Sequence, residues 1–237
     1  PYGSRLMVVD YDRALDCYYA PVNLDDPVLV QQDGLEPNEN LDPRFHQQMV
    51  YAVASHILEL FENALGRPIH FLYRSSDKPE AVAKRQKLRL LPHAYRIANA
   101  HFDAKTLAIY FGYFRAGDQQ AGTNQPGQWI FTCLSYDIIA HEMTHALLNR
   151  LRRGFLWDDP FDESFNKERR AFHEAFADLV TVLSKFSLGP ILRKVIEDNR
   201  GRLRSPQVGP ASANSASNPL FDLATQVGEA MGKDHGA

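Results

Sequence analysis

Apolar residues recur three and four positions apart between positions 45 and 65, the clearest periodic pattern in the chain. This spacing predicts an amphipathic helix. Asp42 is a candidate N-cap with Pro43 at the first helical position, and Gly66 ends the pattern. Before this helix, residues 1–40 alternate short apolar groups with turn formers, which predicts short strands and loops.

Aromatic and β-branched residues cluster after this helix, and such clusters favour strands. The predicted strands are Ile69–Tyr73, a stretch near Ala94–Ala98, and Leu107–Phe114. Residues 115–128 are rich in Gly, Gln and Asn, which is typical of an exposed loop.

The pattern becomes helical after Ser135, a candidate N-cap. Helices are predicted at about 136–152, 168–187, 190–199 and 219–232. Residues 201–219 are rich in Ser, Pro and Gly, which predicts a mobile connection. We therefore predict an α+β protein with a mixed α/β lobe over 1–135 and a helical lobe over 136–237.

The composition of the chain argues against several classes of function. The 237 residues include 26 Lys+Arg and 29 Asp+Glu, a net charge of −3, and the basic residues are dispersed, so no nucleic-acid partner is expected. No apolar run is long enough to predict a membrane span. The sequence opens at Pro1 without a signal-peptide pattern, and we expect further residues to precede it. Cys17 and Cys133 are far apart and predict no disulfide framework, so we interpret both as incidental thiols.

Chemistry concentrates in the string IIAHEMTHALL, which carries His141, Glu142 and His145. Positions i and i+4 of a helix lie on the same face, so both imidazoles can reach one metal ion. The intervening glutamate can approach an activated water without binding the metal. The alternative is a pair of core histidines whose ring nitrogens bond to backbone carbonyls. By contrast, His46 and His56 on the first long helix share no ligand spacing and are expected to be structural.

A third ligand is expected from a different element, because catalytic zinc takes three protein ligands and keeps one open position. The string AFHEAFADLVTVL offers Glu174 and Asp178, again at i and i+4. Apolar neighbours predict that both acids are buried and need either a cation or strong hydrogen-bond donors. Glu174 would bind the metal, and Asp178 would accept a hydrogen bond from the far nitrogen of a ligand histidine. The alternative is two surface acids on a solvated face.

The pattern HExxH followed by ExxxD on a second helix resembles the gluzincins, and the surrounding text is similar to thermolysin-like neutral zinc metallopeptidases. The similar segments are Cys133–Asn149, the string AFHEAFADL, and the early helix containing MVYAVASHILELFENALGR. The pair Asn99 and Ala100 matches the Asn-Ala of that family's substrate-binding edge strand.

This resemblance implies a two-lobed zincin: a sheet-containing N-terminal lobe, a mainly helical C-terminal lobe, and the HExxH helix between them. It implies one catalytic Zn²⁺ held by His141, His145 and Glu174, with Glu142 as general base. Asp178 would support a ligand, and Asn99 with Ala100 would bind the backbone of a peptide or protein substrate. The implied activity is endopeptidase cleavage by a metal-activated water.

The sequence departs from the family at several positions. No tyrosine stands near Leu156-Trp157, and the family's later Asn-Gly-Gly-x-His string is missing, so the donor to the reaction's oxyanion is unassigned. His235 is the remaining candidate for that donor. His173 replaces the Asn that usually precedes the third ligand, and it could still donate a hydrogen bond to a residue that supports the metal site.

Structural Ca²⁺ is not supported, since Lys185 stands where the family has a calcium-binding acid. The C-terminal lobe is expected to be shorter than in the family. Two competing interpretations follow: a zinc-binding module with little or no turnover that acts as an interaction or regulatory domain, and a scaffold without metal.

Overall fold

The computed structural model describes residues 1–37, 41–73, 84–117, 124–152, 163–198, 201, 220 and 223–231. Within these ranges the protein is a mixed α+β structure. Its strands are β1 (Leu6–Val8), β2 (Tyr11–Asp12), β3 (Cys17–Tyr18), β4 (Leu72–Tyr73), β5 (Lys84–Arg85), β6 (Leu88–Tyr95), β7 (Ala100–Asp103), β8 (Ala108–Arg115) and β9 (Trp129–Phe131). Its α-helices are α1 (Pro27–Gln31), α2 (Pro43–Leu65), α3 (Tyr136–Leu151), α4 (Glu163–Lys185), α5 (Gly189–Asp198) and α6 (Thr225–Ala230), and a 3₁₀ turn covers Thr132–Leu134.

The predicted first long helix is confirmed, including both of its ends. Asp42 caps α2, and its side chain accepts a hydrogen bond from the backbone N–H of Arg44 at 2.9 Å. Pro43 occupies the first helical position, and Gly66 ends the helix in the left-handed region at φ 64°. Polar caps and a left-handed glycine therefore bound this helix, as the sequence indicates.

The main sheet has the order β1-β6-β8-β7, with β9 paired to the far end of β8. Strand β6 runs parallel to β1 and β8, whereas β7 and β9 are antiparallel to β8. This order leaves β7 at an edge of the sheet.

Helices α2 and α3 pack together, and α2 also packs on the sheet. Their apolar faces and the inner sides of β6 and β8 form one core, with Val50, Ile57, Leu90, Phe111 and Met143 among its buried members. Helix α4 contacts α3, and its Phe176 ring also lies 6.5 Å from that of Phe61 on α2. Among the described elements, all strands precede residue 132 and four of the six helices follow residue 135. The division of the chain at residue 135 stays a prediction.

Several predicted boundaries are wrong. The strand near Ala94–Ala98 is instead β6 at Leu88–Tyr95, whose pairing with β8 is irregular between Leu91 and Tyr95, around Pro92. A proline cannot donate to the ladder, so the sequence there does not look like an interior strand. Of the strand predicted at Ile69–Tyr73, only Leu72–Tyr73 pairs.

The helices also differ from expectation in places. Helix α1 was not predicted; Asp26 caps it and Pro27 begins it. Helix α4 starts at Glu163, five residues earlier than predicted, and α6 is a short helix over Thr225–Ala230. Of the loop 115–128, residues 118–123 lie outside the described part, as do residues 202–219 of the predicted connection.

In the described part of the chain, no single helix has the length and apolar composition to cross a bilayer; two helical segments bent by 79°, Lys167–Lys185 and Gly189–Asp198, meet that test only as a pair.

Candidate metal centre

Helix α3 carries the HExxH residues. Ser135 caps it in extended conformation, and its hydroxyl accepts a hydrogen bond from the backbone N–H of Ile138 at 3.4 Å. Asp137 adds a negative charge in the first turn, where it interacts favourably with the positive end of the helix dipole. The apolar side of the helix is buried against α2 and the sheet, which leaves His141 and His145 one turn apart beside α4.

Three ligand atoms converge between α3 and α4. The Nε2 atoms of His141 and His145 are 2.9 Å apart. Glu174 Oε2 on α4 lies 3.1 Å from the first and 3.6 Å from the second. The two helices therefore bring together the three residues that the sequence singles out as metal ligands.

The donor chemistry of this cluster fits a metal ion. His141 Nδ1 lies 2.9 Å from Asp178 Oδ1, a contact that requires the imidazole to donate its Nδ1–H. In the neutral ring, Nε2 then presents a lone pair towards the Glu174 carboxylate and towards His145. Two imidazole nitrogens and one carboxylate oxygen that share one point are a ligand set that zinc takes.

Each histidine has a partner on its other ring nitrogen. Asp178 holds His141, and His145 Nδ1 contacts Nδ1 of the buried His173. Burial above all, with the neighbouring His141 and His173, lowers the pKa of His145 to about 3, and burial likewise lowers the pKa of His173. The second ring is therefore held neutral, the form in which histidine binds metals.

Glu142 is beside this cluster but outside it. Its side chain is buried, and Oε2 accepts a hydrogen bond from the backbone N–H of Phe102 on β7 at 2.8 Å. Burial raises the pKa of Glu142 to about 7, against the opposing effects of His141 and the Phe102 N–H. This carboxyl group can therefore change its protonation state near neutral pH, as a general base must.

A cleft of about 450 Å³ runs between β7 and the N-terminal half of α4, with the three HExxH residues at its floor. Asn99 and Ala100 form one wall, and Ala100 begins the edge strand. The carbonyl oxygen of Asn99 is held by the N–H of Gly112 at 2.9 Å. On the opposite wall stand Arg169 and Arg170 of α4.

The prediction that Glu174 and Asp178 are buried is wrong. Their side chains are 63% and 52% exposed. The side of α4 that packs on α3 is instead a stripe with His173, Ala177 and Thr181, while Phe172 and Leu179 are more than half exposed. The apolar pattern therefore pointed to the wrong face, because the face towards α3 is lined with polar and small side chains.

The other residues that the sequence analysis singled out have different outcomes. Lys185 is buried and pairs with Asp137 Oδ1 at 2.7 Å, so an ammonium group neutralises that acid. His235 and Leu156-Trp157 lie outside the described residues. The oxyanion donor therefore stays unassigned.

Sequence reasoning missed Arg169 and Arg170 as residues of the cleft. Arg170 precedes Glu174 by four positions, which places it on the same face of α4. That spacing was a usable signal. The sequence allowed His173 a supporting hydrogen bond beside the metal, but it did not predict His145, 28 positions away, as the partner.

No family model matches the chain. No curated protein matches it either. Among solved structures, the precursor of protealysin, a metalloproteinase from Serratia proteamaculans, is a distant neighbour with 16% identity and a TM-score of 0.41, covering 80% of this chain and 46% of its own. The chain thus spans about half the length of that precursor.

Proposed function

We propose that this protein is a zinc-dependent endopeptidase. The observation that carries the proposal is the convergence of His141, His145 and Glu174 on one point, with the buried Glu142 carboxyl beside them. A zinc ion held by these three residues would supply a water of lowered pKa and would polarise the scissile carbonyl.

The general base in this proposal is Glu142. The Phe102 N–H occupies Oε2, so Oε1 is the oxygen that takes the proton from the attacking water. The carboxyl group then passes that proton to the departing amine, so that the amine leaves as a neutral group. Asp178 and His173 hold the two ligand rings in orientation during this cycle.

The substrate backbone would add to β7. The Phe102 N–H turns away from β8 towards Glu142, and residues two apart on a strand turn their polar groups to the same side. Ala100 therefore presents its N–H and C=O to the cleft. An extended peptide paired there is bound first through its main chain. This geometry favours a peptide or protein substrate, and Asn99 lies at the start of the pairing edge.

The test is Glu142→Gln. We expect peptide cleavage to fall by at least about 100-fold, because the amide cannot accept the proton, while zinc content stays at the wild-type level. The measurements are hydrolysis of an internally quenched peptide and zinc per chain by elemental analysis. Glu59→Gln, an exposed position on α2, is the matched control and should leave both values unchanged.

Full cleavage by Glu142→Gln would contradict the assigned base. Zinc bound by wild type without cleavage of any peptide in a mixed library would favour the zinc-binding module instead. Absence of zinc from both proteins would favour the scaffold without metal.

A further inference from the structure

A second cluster of metal-binding side chains lies inside the core, away from the cleft. His46 of α2, His93 of β6 and Cys133 of the 3₁₀ turn each offer one ligand atom, and these atoms lie within 4.8 Å of one another. All three residues are buried: their exposures are 1%, 2% and 0%.

We propose that His46, His93 and Cys133 bind a second divalent metal ion, zinc, which has a structural role. Two imidazoles and one thiolate are a set that zinc accepts, with one coordination position left for a small ligand such as water. The role is structural because the ligands are closed off from solvent and so from any substrate.

The side chains around the cluster hold His93 in the way that a metal-binding histidine is usually held. His93 Nδ1 lies 2.7 Å from Asp10 Oδ1, and the second oxygen of that carboxylate accepts a hydrogen bond from Gln47 Nε2 at 2.8 Å. A carboxylate on the far ring nitrogen is the usual outer partner of a metal-binding histidine, because it fixes the tautomer and directs the other nitrogen to the metal. Here that other nitrogen, Nε2, faces His46.

Charge also favours a divalent ion. A Cys133 thiolate and the buried Asp10 carboxylate would carry two negative charges, and one divalent cation bound by two neutral imidazoles would balance both.

The two ring nitrogens lie closer together than a shared zinc ion would hold them. His46 Nδ1 and His93 Nε2 are 2.7 Å apart. Two zinc–nitrogen bonds of about 2.05 Å at a tetrahedral angle would place them about 3.3 Å apart. The pair in the cleft, at 2.9 Å, has the same kind of shortfall. The competing interpretation is a hydrogen-bonded relay from Asp10 through His93 to His46 with no ion.

Such an ion would connect three elements that are distant in sequence. Cys133 stands two residues before Ser135, the N-cap of α3, so the ion would tie the start of the HExxH helix to α2 and the sheet. Sequence spacing gives no hint of this site, because its ligands are 47 and 40 positions apart.

Cobalt provides a test that separates the two sites, because only the buried one contains sulfur. The full chain is expressed in zinc-depleted medium with Co²⁺, since a closed site fills during folding. We expect two cobalt ions per chain and a thiolate-to-cobalt charge-transfer band in the near ultraviolet. Cys133→Ser should lose the band and one ion. The matched control Cys17→Ser, which alters the other cysteine, should keep both ions and the band.

The double variant His141→Ala/His145→Ala should keep one ion and the full band, whatever the fate of the proposed peptidase activity. This variant also decides the question if Cys133→Ser does not fold. One cobalt per chain without a sulfur band in wild type overturns the proposal, as does a band that survives Cys133→Ser or disappears in Cys17→Ser.

Discussion

Glu142 illustrates how one residue links burial to pH. Its pKa is raised from a usual value of 4.5 to about 7, chiefly by burial. In the metal-free protein, the unfolded chain therefore loses this proton first as pH rises between about 4.5 and 7, and the folded state becomes less stable by about 3 kcal/mol over that window. Below about pH 4.5 both states hold the proton, and the effect is absent.

The corresponding prediction compares wild type with Glu142→Gln in the presence of a chelator. The amide does not titrate, so the variant should gain stability relative to wild type as pH rises from 5 to 8, by about 2–3 kcal/mol. Urea unfolding at both pH values measures the difference. The lowered pKa of His145 makes stability rise with pH, which is the opposite trend. Because His145 is present in both proteins, its contribution cancels in the difference between them. A stability difference that does not vary with pH would contradict the raised pKa of Glu142.

Asp178 gives a second prediction at this scale. Asp178→Asn removes the charge that holds His141 Nδ1 at 2.9 Å, so the ligand ring becomes less basic and less well oriented. We expect zinc affinity at the cleft to fall by about 10–100-fold, as measured by competition with a chelating dye. Glu168→Gln, an exposed acid on the same helix, is the control. If the two variants bind zinc with equal affinity, Asp178 does not support the metal site.

At the residue scale the sequence predicted the candidate site through local spacing. His141 and His145 lie one turn apart on any helix, and Glu174 with Asp178 repeats that spacing. The exposure of the two acids could not be predicted in this way. It depends on which face of α4 meets α3, and the face in contact carries polar and small residues that a hydrophobic pattern does not detect.

Among the elements, the connection from β6 to β7 sets the position of the cleft wall. It crosses β8 at Gly112, whose N–H donates to the Asn99 carbonyl, and Thr132 Oγ1 donates to the Gly112 carbonyl at 2.8 Å. A Cβ at this position would clash with the carbonyl oxygen of Ile97 and approach that of Asn99 to 2.8 Å. The glycine is therefore needed for close approach of two backbone segments.

Gly112→Ala should displace Asn99 and the start of β7. We expect a loss of stability of about 1–3 kcal/mol, and a fall in peptide cleavage that exceeds any change in zinc affinity, because the ligands lie on other elements. Thermal unfolding and the quenched-peptide assay give the two values. Gly117→Ala, where an added Cβ meets no atom within 4 Å, is the control. Unchanged cleavage in Gly112→Ala would mean that the 97–99 segment does not position substrate.

Elements with local signals were predicted best. Helix α2 has its capping acid, its N-terminal proline and its terminal glycine within its own sequence. Strand β6 has no such signals, because it is a parallel strand between β1 and β8 with Pro92 in its middle. Its place in the sheet results from pairing with segments far away in the chain, and single-sequence patterns do not encode that pairing.

For the whole molecule, composition and the order of elements were sufficient to predict an α+β class. They were not sufficient to predict which helices touch. The contact of α3 with α4 brings Glu174 and Asp178, which are 33 and 37 positions from His141 in sequence, next to that histidine. This contact assembles the cluster in the cleft. The resemblance of the two motifs to a known family predicted that Glu174 and Asp178 lie near His141. Helix propensity and hydrophobic pattern alone do not predict this contact.

The buried pair of Lys185 and Asp137 has a consequence for how α4 moves. It fastens the last residue of α4 to the first turn of α3, and the Tyr136 hydroxyl donates to Ser184 Oγ at the same end, 2.8 Å away. The opposite half of α4, with Glu174, is joined to α3 through the histidine cluster. If the proposed metal ion is bound in the cleft, its removal should therefore loosen α4 at one end only. Hydrogen–deuterium exchange would detect this as faster amide exchange over 167–176, while 177–185 stays protected. The N-terminal half of α4 would then move relative to α3 while its C-terminal end stays attached through Lys185.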